Sequence, residues 1–251
     1  MTITVIILVK NGERKLREVL DSTRDFSEVI LVDTGSTDTT LEIARQFPNV
    51  RIFEKEFIGF GPLRNFAATL ASHDWILALD SDEVLSSSLQ QEILTLPLDR
   101  HTAYALLFHN FFNKKHIRTA GWHPERHVRL YHREQCSFSE SQVHEKVETK
   151  DVKEQCLKHP VCHYPYETIS DFLKKMQQYS DLFAAQHVGK KRSSPWIAFY
   201  HGMGGFIKSY LIKRGIFGGY EGLLISLYNG HTAFYKYLKL YHLNIESQKK
   251  C

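Results

Sequence analysis

Over its first 80 residues the chain alternates short apolar runs with segments whose apolar positions recur every three or four residues. The apolar, β-branched runs predict four strands, at 2–9, 28–32, 51–53 and 75–79. The segments between them predict three helices, at 16–20, 39–47 and 64–70. Because regular alternation of strands and helices is typical of a parallel sheet covered on both faces, we expect an α/β fold with a mostly parallel, doubly wound sheet.

Beyond residue 80 the hydrophobic pattern is less regular. It predicts a helix at 86–94, a strand at 103–108 and further β structure at 126–131 and 142–147. From 169 to 188 the apolar positions follow helical spacing and predict one long amphipathic helix. The remaining stretch is rich in Trp, Phe and Tyr. We therefore expect a first domain over 1–165 and a helical, aromatic-rich C-terminal extension over 166–251.

The composition narrows the class of protein. The chain has 251 residues, 43% of them hydrophobic, which is enough for one large core with an appendage. Its 32 basic and 28 acidic residues give a net charge of only +4, so no nucleic-acid partner is expected. Neither a spanning helix nor a signal peptide is expected, because no run reaches about 18 apolar residues and the first residues lack a basic leader. The four cysteines form no Cys-x-x-Cys pair, which favours reduced thiols and a cytoplasmic protein.

Acidic residues directly follow two of the predicted strands. Asp33 ends the second strand, and Asp80-Ser81-Asp82-Glu83 follows the fourth. Because the carboxyl ends of parallel strands meet at the edge where open α/β sheets bind ligands, these carboxylates could hold a divalent cation against a diphosphate. Two alternatives stay open. Asp and Ser are common in ordinary turns, and Asp33 could close its own turn through Ser36 and Thr37.

A basic residue follows the glycine-containing segment Gly59-Phe60-Gly61. This residue is Arg64, which we expect at the start of a helix. At that position the helix dipole and the free backbone N–H groups favour an anion, so the guanidinium could meet a phosphate or a base carbonyl. The alternative is an ordinary arginine on the solvated surface.

Several short motifs occur in a fixed order within the first 85 residues. They are Lys10-Asn11, Val32-Asp33-Thr34-Gly35-Ser36-Thr37-Asp38, Gly61-Pro62-Leu63-Arg64-Asn65 and Leu79-Asp80-Ser81-Asp82-Glu83. With this set the chain closely resembles the family 2 glycosyltransferases, which implies their Rossmann-like GT-A fold. A second set resembles the bacterial branch that adds β-linked sugars to the inner core of lipopolysaccharide. It consists of Arg129-Leu130-Tyr131, Phe138-Ser139 and Val143-His144-Glu145-Lys146-Val147.

The resemblance implies a role for each matching residue. Asp33 and Arg64 would bind the nucleotide, and Asp80 would lie near the ribose. Asp82 would hold a metal ion, Mg²⁺ or Mn²⁺, and Glu145 would be the general base. A single base opposite the departing diphosphate suits attack by a sugar hydroxyl with inversion at the anomeric carbon, unlike the paired carboxylates of the hydrolases.

Two histidines are also candidate site residues. His163 resembles the C-terminal histidine that adds a metal contact in many GT-A enzymes. His144 competes with Glu145 as the base, unless it orients Glu145 or a substrate hydroxyl. A zinc cluster is an alternative, although its spacing matches no common zinc finger. Its members would be Cys156, His159, Cys162 and His163.

The resemblance further implies the partners of the enzyme. The donor would be a nucleotide sugar, UDP-hexose above all, and the acceptor a lipid-anchored oligosaccharide of the lipopolysaccharide core, at the inner face of the inner membrane. The aromatic, lysine-containing stretch 196–243 suits a peripheral membrane contact, with core packing or a dimer contact as alternatives. The oligomeric state is left open. A basic and aromatic cluster suits an anionic sugar chain, or is a solvated loop around one packed tryptophan. It comprises Trp122, His123, Arg126, His127 and Arg129.

Two other functions stay open at this point. Asp80-x-Asp82 after an apolar strand also fits the aspartyl-phosphate phosphatases, with Asp80 as nucleophile and Asp82 as acid/base. In that class the motif follows the first strand, whereas two complete strand–helix units precede it here. The second alternative is a non-catalytic module that binds nucleotide sugars, although such a module needs no base like Glu145.

Overall fold

The computed structural model describes residues 3–140 and 145–249. The chain forms two compact units. The first comprises Met1–His109 and Glu125–His163, and the second comprises Asn110–Pro124 and Tyr164–Cys251. The division that we expected after residue 165 puts 110–124 in the first domain, whereas in the structure this excursion groups with the C-terminal helices.

The strands and helices follow one another largely as the hydrophobic pattern predicts. The strands are β1 (Ile3–Val9), β2 (Glu28–Asp33), β3 (Val50–Glu54), β4 (Trp75–Asp80), β5 (Glu83–Leu85), β6 (Thr102–Phe112), β7 (Lys115–His116), β8 (Glu125–His132) and β9 (Lys153–His163). The helices are α1 (Leu16–Asp21), α2 (Thr40–Ala44), α3 (Phe60–Leu70), α4 (Ser87–Thr95), α5 (Ile169–His187), α6 (Pro195–Ile207) and α7 (Gly219–Lys249). A π-helical turn (Lys208–Ile212) and a 3₁₀ turn (Gly215–Gly218) connect α6 to α7.

The strands form a mixed sheet in the order β3-β2-β1-β4-β8-β6-β9-β5. Strands β1 to β4 are parallel, as predicted, which confirms the α/β class. Strand β8 is antiparallel to β4, and β6 is antiparallel to β8, so the second half of the sheet is not parallel. The chain reaches the edge at β3 and returns to β4 on the other side of β1. The strand order therefore reverses between β1 and β4, where open α/β sheets bind ligands.

The core covers both faces of the parallel strands, which explains the uninterrupted apolar run of β1. Ile3, Val5 and Ile7 pack into a cluster that includes side chains of α1 and α4. Ile6 and Leu8 point the other way, into a cluster with side chains of α3. This alternation is the two-residue period of a strand that is buried on both sides. Strands packed in this way fix the positions of the loops at their carboxyl ends.

Three segments differ from the prediction. Helix α3 begins at Phe60, four residues early, because Gly59 has a φ of 114° that side chains rarely adopt and that ends the extended chain there. Helix α2 is shorter than the predicted 39–47. Of the expected β structure at 142–147, residues 142–144 lie outside the described part of the chain, and Val147 forms an isolated bridge with Phe138.

The second unit is built on α5, α6 and α7. Helix α5 confirms the predicted amphipathic helix, and it begins with a capping box in which Thr168 and Asp171 each accept a hydrogen bond from the other's backbone N–H. Trp122 stacks on Tyr166 at a centroid distance of 5.7 Å and also stacks on Phe172, so this tryptophan is packed. None of the described helices is long and apolar enough to cross a bilayer.

Candidate active site

Two of the predicted acids, Asp33 and Asp80, lie at the same carboxyl edge of the parallel strands. Val9 of β1 is in register with Asp33 of β2, and Leu8 is in register with Asp80 of β4 on the opposite side. Two strand spacings, about 10 Å, therefore separate the backbones of the two acids. The prediction that separate strands bring acids to one edge is confirmed, and β1 and β4 flank the point where the strand order reverses.

Asp33 is buried and closes its own turn. Its Oδ2 accepts hydrogen bonds of 3.0 Å from the backbone N–H groups of Gly35 and Ser36, and its Oδ1 accepts one from the Ser36 hydroxyl. This was one of the two interpretations that the sequence allowed. A role of Asp33 in nucleotide binding stays a prediction.

Asp80 is held between two arginines. Arg64 Nη2 donates to Asp80 Oδ1 at 2.6 Å, and Arg129 Nη2 donates to Asp80 Oδ2 at 3.1 Å. Burial alone would raise the pKa of this carboxyl, but the two guanidinium charges outweigh it and hold the pKa well below its ordinary value. Asp80 is therefore ionised at neutral pH.

Arg64 lies inside α3, in its second turn, and its side chain is only 1% exposed. Besides Asp80, its Nε donates a long hydrogen bond of 3.4 Å to Glu145 Oε1. The interpretation as a solvated surface arginine is wrong, because these two acids partner the guanidinium in a buried site. The expected position of Arg64 at the start of a helix is also wrong, since α3 begins at Phe60.

Glu83 and Arg129 also belong to the site, although the family resemblance implied no individual role for either. Arg129 donates from Nη2 to Glu83 Oε1 at 2.8 Å, and Glu83 is 1% exposed. Burial and the carboxylates of Asp80 and Asp82 raise the pKa of Glu83, against the charge of Arg129. Burial lowers the pKa of Arg129, but Glu83 and Asp80 more than reverse that effect. A signal was present in the sequence, since Arg129 stands between the apolar residues Val128 and Leu130.

The predicted metal pair is brought together by two short segments of strand. Strands β5 and β9 are antiparallel, with Glu83 opposite His163, so Asp82 lies just beyond the end of this ladder. Asp82 Oδ1 is 3.6 Å from His163 Nε2. Two ligands that each bind an ion at about 2.0–2.2 Å can lie this far apart, so one cation can contact both. The residues present therefore fit a divalent metal.

The predicted base lines a cavity of about 390 Å³. Glu145 contributes to its wall, and its side chain is partly buried. The other lining residues are Arg126, His127, Val128, Arg129, Phe138, Lys146, Val147 and Glu154. Three of the predicted cluster residues, Arg126, His127 and Arg129, thus share this cavity with Glu145. His144, the competing base, lies outside the described residues.

The zinc alternative is wrong. Cys156, His159, Cys162 and His163 all lie on β9, where side chains alternate between the two faces of the strand. The cysteines therefore point to one face and the histidines to the other. In the part of the chain that the structure describes, these four side chains form no metal-ligand group. Cys136, Cys156 and Cys162 are free thiols, as expected.

Acids on the carboxyl edge of a Rossmann-like half-sheet, with an aspartate and a histidine close together beside them, are typical of enzymes that act on nucleotide-linked substrates. Residues 4–150 match the Glycosyl transferase family 2 model, which is more than half of the chain. The chain therefore belongs to glycosyltransferase family 2, and the predicted GT-A fold class and enzyme class are confirmed. This membership removes the phosphatase alternative for Asp80 and Asp82.

The chain is similar to the following three proteins, among others. An uncharacterised glycosyltransferase of Rickettsia bellii is 30% identical over 97% of this chain and 87% of its own length. The lipopolysaccharide core biosynthesis glycosyltransferase LpsC of Rhizobium meliloti is 23% identical over 75% of this chain and 72% of its own. Among solved structures, a mannosyltransferase of Pyrobaculum calidifontis in complex with GDP-Man and Mn²⁺ is 15% identical over 99% of this chain and 75% of its own, with a TM-score of 0.49.

Proposed function

We propose that this glycosyltransferase is an inverting, metal-dependent enzyme that moves a hexose from a nucleotide sugar to a lipopolysaccharide core acceptor. The observation that carries the proposal is the approach of Asp82 Oδ1 to His163 Nε2, at 3.6 Å, beside the ion-paired Asp80. A carboxylate and an imidazole that converge near a strand-order reversal suit a cation that is shared with a diphosphate.

The donor set of the site favours Mn²⁺ over Mg²⁺. Mg²⁺ prefers oxygen ligands only, whereas Mn²⁺ binds a mixed set of nitrogen and oxygen ligands more readily. Asp82 and His163 would hold the ion. When bound, it supplies positive charge that offsets the charge developing on the departing diphosphate.

Asp33 and Arg64 provide groups for the nucleotide. A carboxylate has about four acceptor positions, and the turn of Asp33 uses three of them, so one remains for a base or a ribose hydroxyl. Within the described residues Arg64 Nη1 and Arg129 Nε are buried without a hydrogen-bond partner. Buried donors of this kind suit an anionic ligand at the site. UDP-hexose is the donor that we propose.

Glu145 is the group that would take a proton from the acceptor. Its carboxylate lines the cavity, and the hydrogen bond from Arg64 Nε orients Oε1. A hydroxyl of the acceptor sugar placed in this cavity would lose its proton to Glu145 as it attacks the anomeric carbon. Because a single displacement needs one general base and Glu145 can supply it, inversion at the anomeric carbon is the mechanism that we propose.

The residues that line the cavity also indicate the charge of the acceptor. Arg126, Arg129 and Lys146 line it together with Glu145, and cations of this kind bind phosphorylated sugars. An acceptor in the lipopolysaccharide core is anionic, and the relative in Rhizobium meliloti is named for lipopolysaccharide core biosynthesis. Such an acceptor is lipid-anchored, so we propose that the enzyme works at the cytoplasmic face of the inner membrane.

A donor and acceptor panel tests this function. UDP-, GDP- and ADP-hexoses are incubated with Mn²⁺ and a lipopolysaccharide core acceptor, and nucleoside diphosphate release and the anomeric configuration of the product are recorded. We expect one donor to be consumed, turnover to stop on chelation of the metal, and the product to carry the inverted configuration. A product with the configuration of the donor, or turnover that a chelator leaves unchanged, would refute the mechanism.

A further inference from the structure

Helix α6 presents small residues to α7. Ala198, Gly202 and Gly205 lie along one side, and a Cβ atom at Gly202 would come within 2.8 Å of the Phe234 Cβ atom on α7. Ala198 is fully buried. The contact between α6 and α7 therefore uses small residues, which allow close approach of the two helix backbones.

Four large apolar residues of α6 point away from that contact. Trp196, Tyr200, Met203 and Ile207 are offset from the small residues by two positions, which is about 200° around the helix. Trp196 is 71% exposed and Tyr200 is 69% exposed. A helix on the surface of a water-soluble protein normally has the reverse arrangement, with its large apolar side chains in the core.

The exposed residues continue beyond the end of α6. Ile212 in the π-helical turn is 74% exposed, and Phe217 in the 3₁₀ turn is 80% exposed. We call the apolar face of α6 together with these two turns the apolar surface. Its exposed members are Trp196, Tyr200, Met203, Ile207, Leu211, Ile212, Ile216 and Phe217. Large groups of exposed apolar side chains are typical of surfaces that bind a membrane or another protein.

The charged residues in the same stretch of sequence indicate what kind of partner the apolar surface binds. Between Asp181 and Glu221 the sequence contains no acidic residue. It contains six basic residues, all exposed, namely Lys190, Lys191, Arg192, Lys208, Lys213 and Arg214. Within residues 182–220 the apolar and aromatic side chains are accompanied by basic residues and by no acidic ones, a composition that complements the headgroup region of an anionic bilayer. Trp and Tyr are also the side chains most enriched at that depth.

We propose that the apolar surface inserts into the interface of an anionic lipid membrane, with Lys208, Lys213 and Arg214 on the headgroups. The inference deepens the proposed function and rests on it in one respect, namely that the acceptor is lipid-anchored. Attachment to the same membrane then raises the local concentration of the acceptor.

Vesicle co-sedimentation tests the surface directly. The full chain is mixed with phosphatidylcholine vesicles that either contain or lack phosphatidylglycerol. We expect binding to the anionic vesicles, weaker binding at high salt, and a blue shift of fluorescence that Trp196→Phe removes. Failure of the wild-type chain to bind anionic vesicles would overturn the proposal.

Two sets of variants separate the apolar part from the charged part. Trp196→Ser with Phe217→Ser removes exposed apolar area, and Ile169→Ser with Leu173→Ser on α5 is the matched control. We expect the first pair to abolish binding and the control to retain it. The triple change of Lys208, Lys213 and Arg214 to Gln should weaken binding about a hundredfold, since each basic residue near the surface contributes about fivefold. The exposed residues Arg45, Lys153 and Lys158, changed to Gln, are its control.

Sedimentation without lipid distinguishes a dimer contact. A wild-type dimer that Trp196→Ser with Phe217→Ser converts to a monomer would show that a second copy covers the apolar surface, and would overturn the membrane proposal. Hydrolysis of the nucleotide sugar without acceptor or vesicles reports on the active site alone. If the wild-type protein binds anionic vesicles but hydrolyses no nucleotide sugar, the proposed function is refuted and the membrane proposal is still supported.

Discussion

At the scale of residues, the candidate site is a chain of buried ion pairs. Arg64 joins Glu145 to Asp80, and Arg129 joins Asp80 to Glu83. Each arginine also lies over an aromatic ring, Arg64 over Phe138 and Arg129 over Phe108. Each of these five side chains lies beside one of opposite charge. This pairing offsets the cost of removing the ionic groups from water.

Removing the base should separate binding from chemistry. Glu145→Gln keeps the size and one hydrogen-bond acceptor for Arg64 but cannot take a proton. We expect kcat to fall by about 10²–10⁴ while the affinity for the donor changes little. Steady-state kinetics and donor titration measure the two quantities, and Glu148→Gln, in the same segment, is the control. Transfer by Glu145→Gln at the wild-type rate would show that Glu145 is not the base.

Removing Arg129 should destabilise the fold. Arg129→Met leaves Glu83 and part of Asp80 without their cation in a buried site, so we expect a loss of about 3–5 kcal/mol of unfolding free energy. Arg126→Met, three strand positions away and more exposed, should change stability by less than about 0.5 kcal/mol. Urea denaturation measures both. Equal stability of the two variants would contradict the importance that we assign to the Arg129 ion pairs.

At the scale of elements, the site depends on how β5 and β9 pair. The three residues of β5 bring Asp82 next to the end of β9, and so next to His163. Helix α4 begins directly after β5, where Ser86 caps it by accepting a hydrogen bond from Leu89 N at 3.1 Å. The Ser86 hydroxyl also donates to Pro160 O of β9 at 2.8 Å. One side chain thus connects α4 to the strand that carries His163.

Loss of this cap should weaken the fold measurably. Ser86→Ala removes both hydrogen bonds, and we expect a loss of about 1–2 kcal/mol of unfolding free energy. Ser88→Ala, exposed on the first turn of the same helix, is the matched control and should be close to neutral. Thermal and urea unfolding compare the two. If the two variants unfold alike, Ser86 does not stabilise the junction of α4 and β9.

The sequence predicted the parallel half of the fold because each of its signals is local. The apolar runs of β1 to β4 and the acids at the ends of β2 and β4 can be read without knowing what pairs with what. The antiparallel half depends on partners that are far apart in the chain, such as β5 with β9. The early start of α3 at Phe60 and the burial of Arg64 depend on tertiary packing in the same way. For that reason the ion pair between Glu83 and Arg129 could not be inferred from spacing, although the apolar neighbours of Arg129 indicated that it lies in a buried strand.

At the scale of the whole molecule, buried carboxylates make stability depend on pH. Glu28 accepts hydrogen bonds from Thr4, Arg51 and Ser72. Burial alone would raise its pKa, but these bonds more than compensate and lower it from 4.5 to about 2. A carboxyl with a lowered pKa in the folded state stabilises the fold above the unfolded-state pKa. That contribution disappears as the pH falls through the folded-state pKa.

The contribution of Glu28 to the unfolding free energy should therefore disappear at acidic pH. We expect the unfolding free energy of the wild type to lose about 3 kcal/mol more than that of Glu28→Gln between about pH 5 and pH 2, since one pKa unit corresponds to about 1.4 kcal/mol. Glu42→Gln, exposed on α2, should lose as much as the wild type. Denaturation curves at several pH values give the comparison. Parallel loss in wild type and Glu28→Gln would contradict the role of Glu28.

We propose above all that Asp82 and His163 hold one divalent cation together with the diphosphate of a nucleotide sugar. Calorimetric titration of UDP-sugars with and without Mn²⁺ tests it most directly, with wild type, Asp82→Ala and the surface variant Asp99→Ala as control. We expect wild type and Asp99→Ala to bind a donor far more tightly with Mn²⁺, and Asp82→Ala to lose this dependence on the metal. Donor binding by Asp82→Ala that still requires Mn²⁺, or wild type that binds no nucleotide sugar when Mn²⁺ is abundant, would contradict the claim.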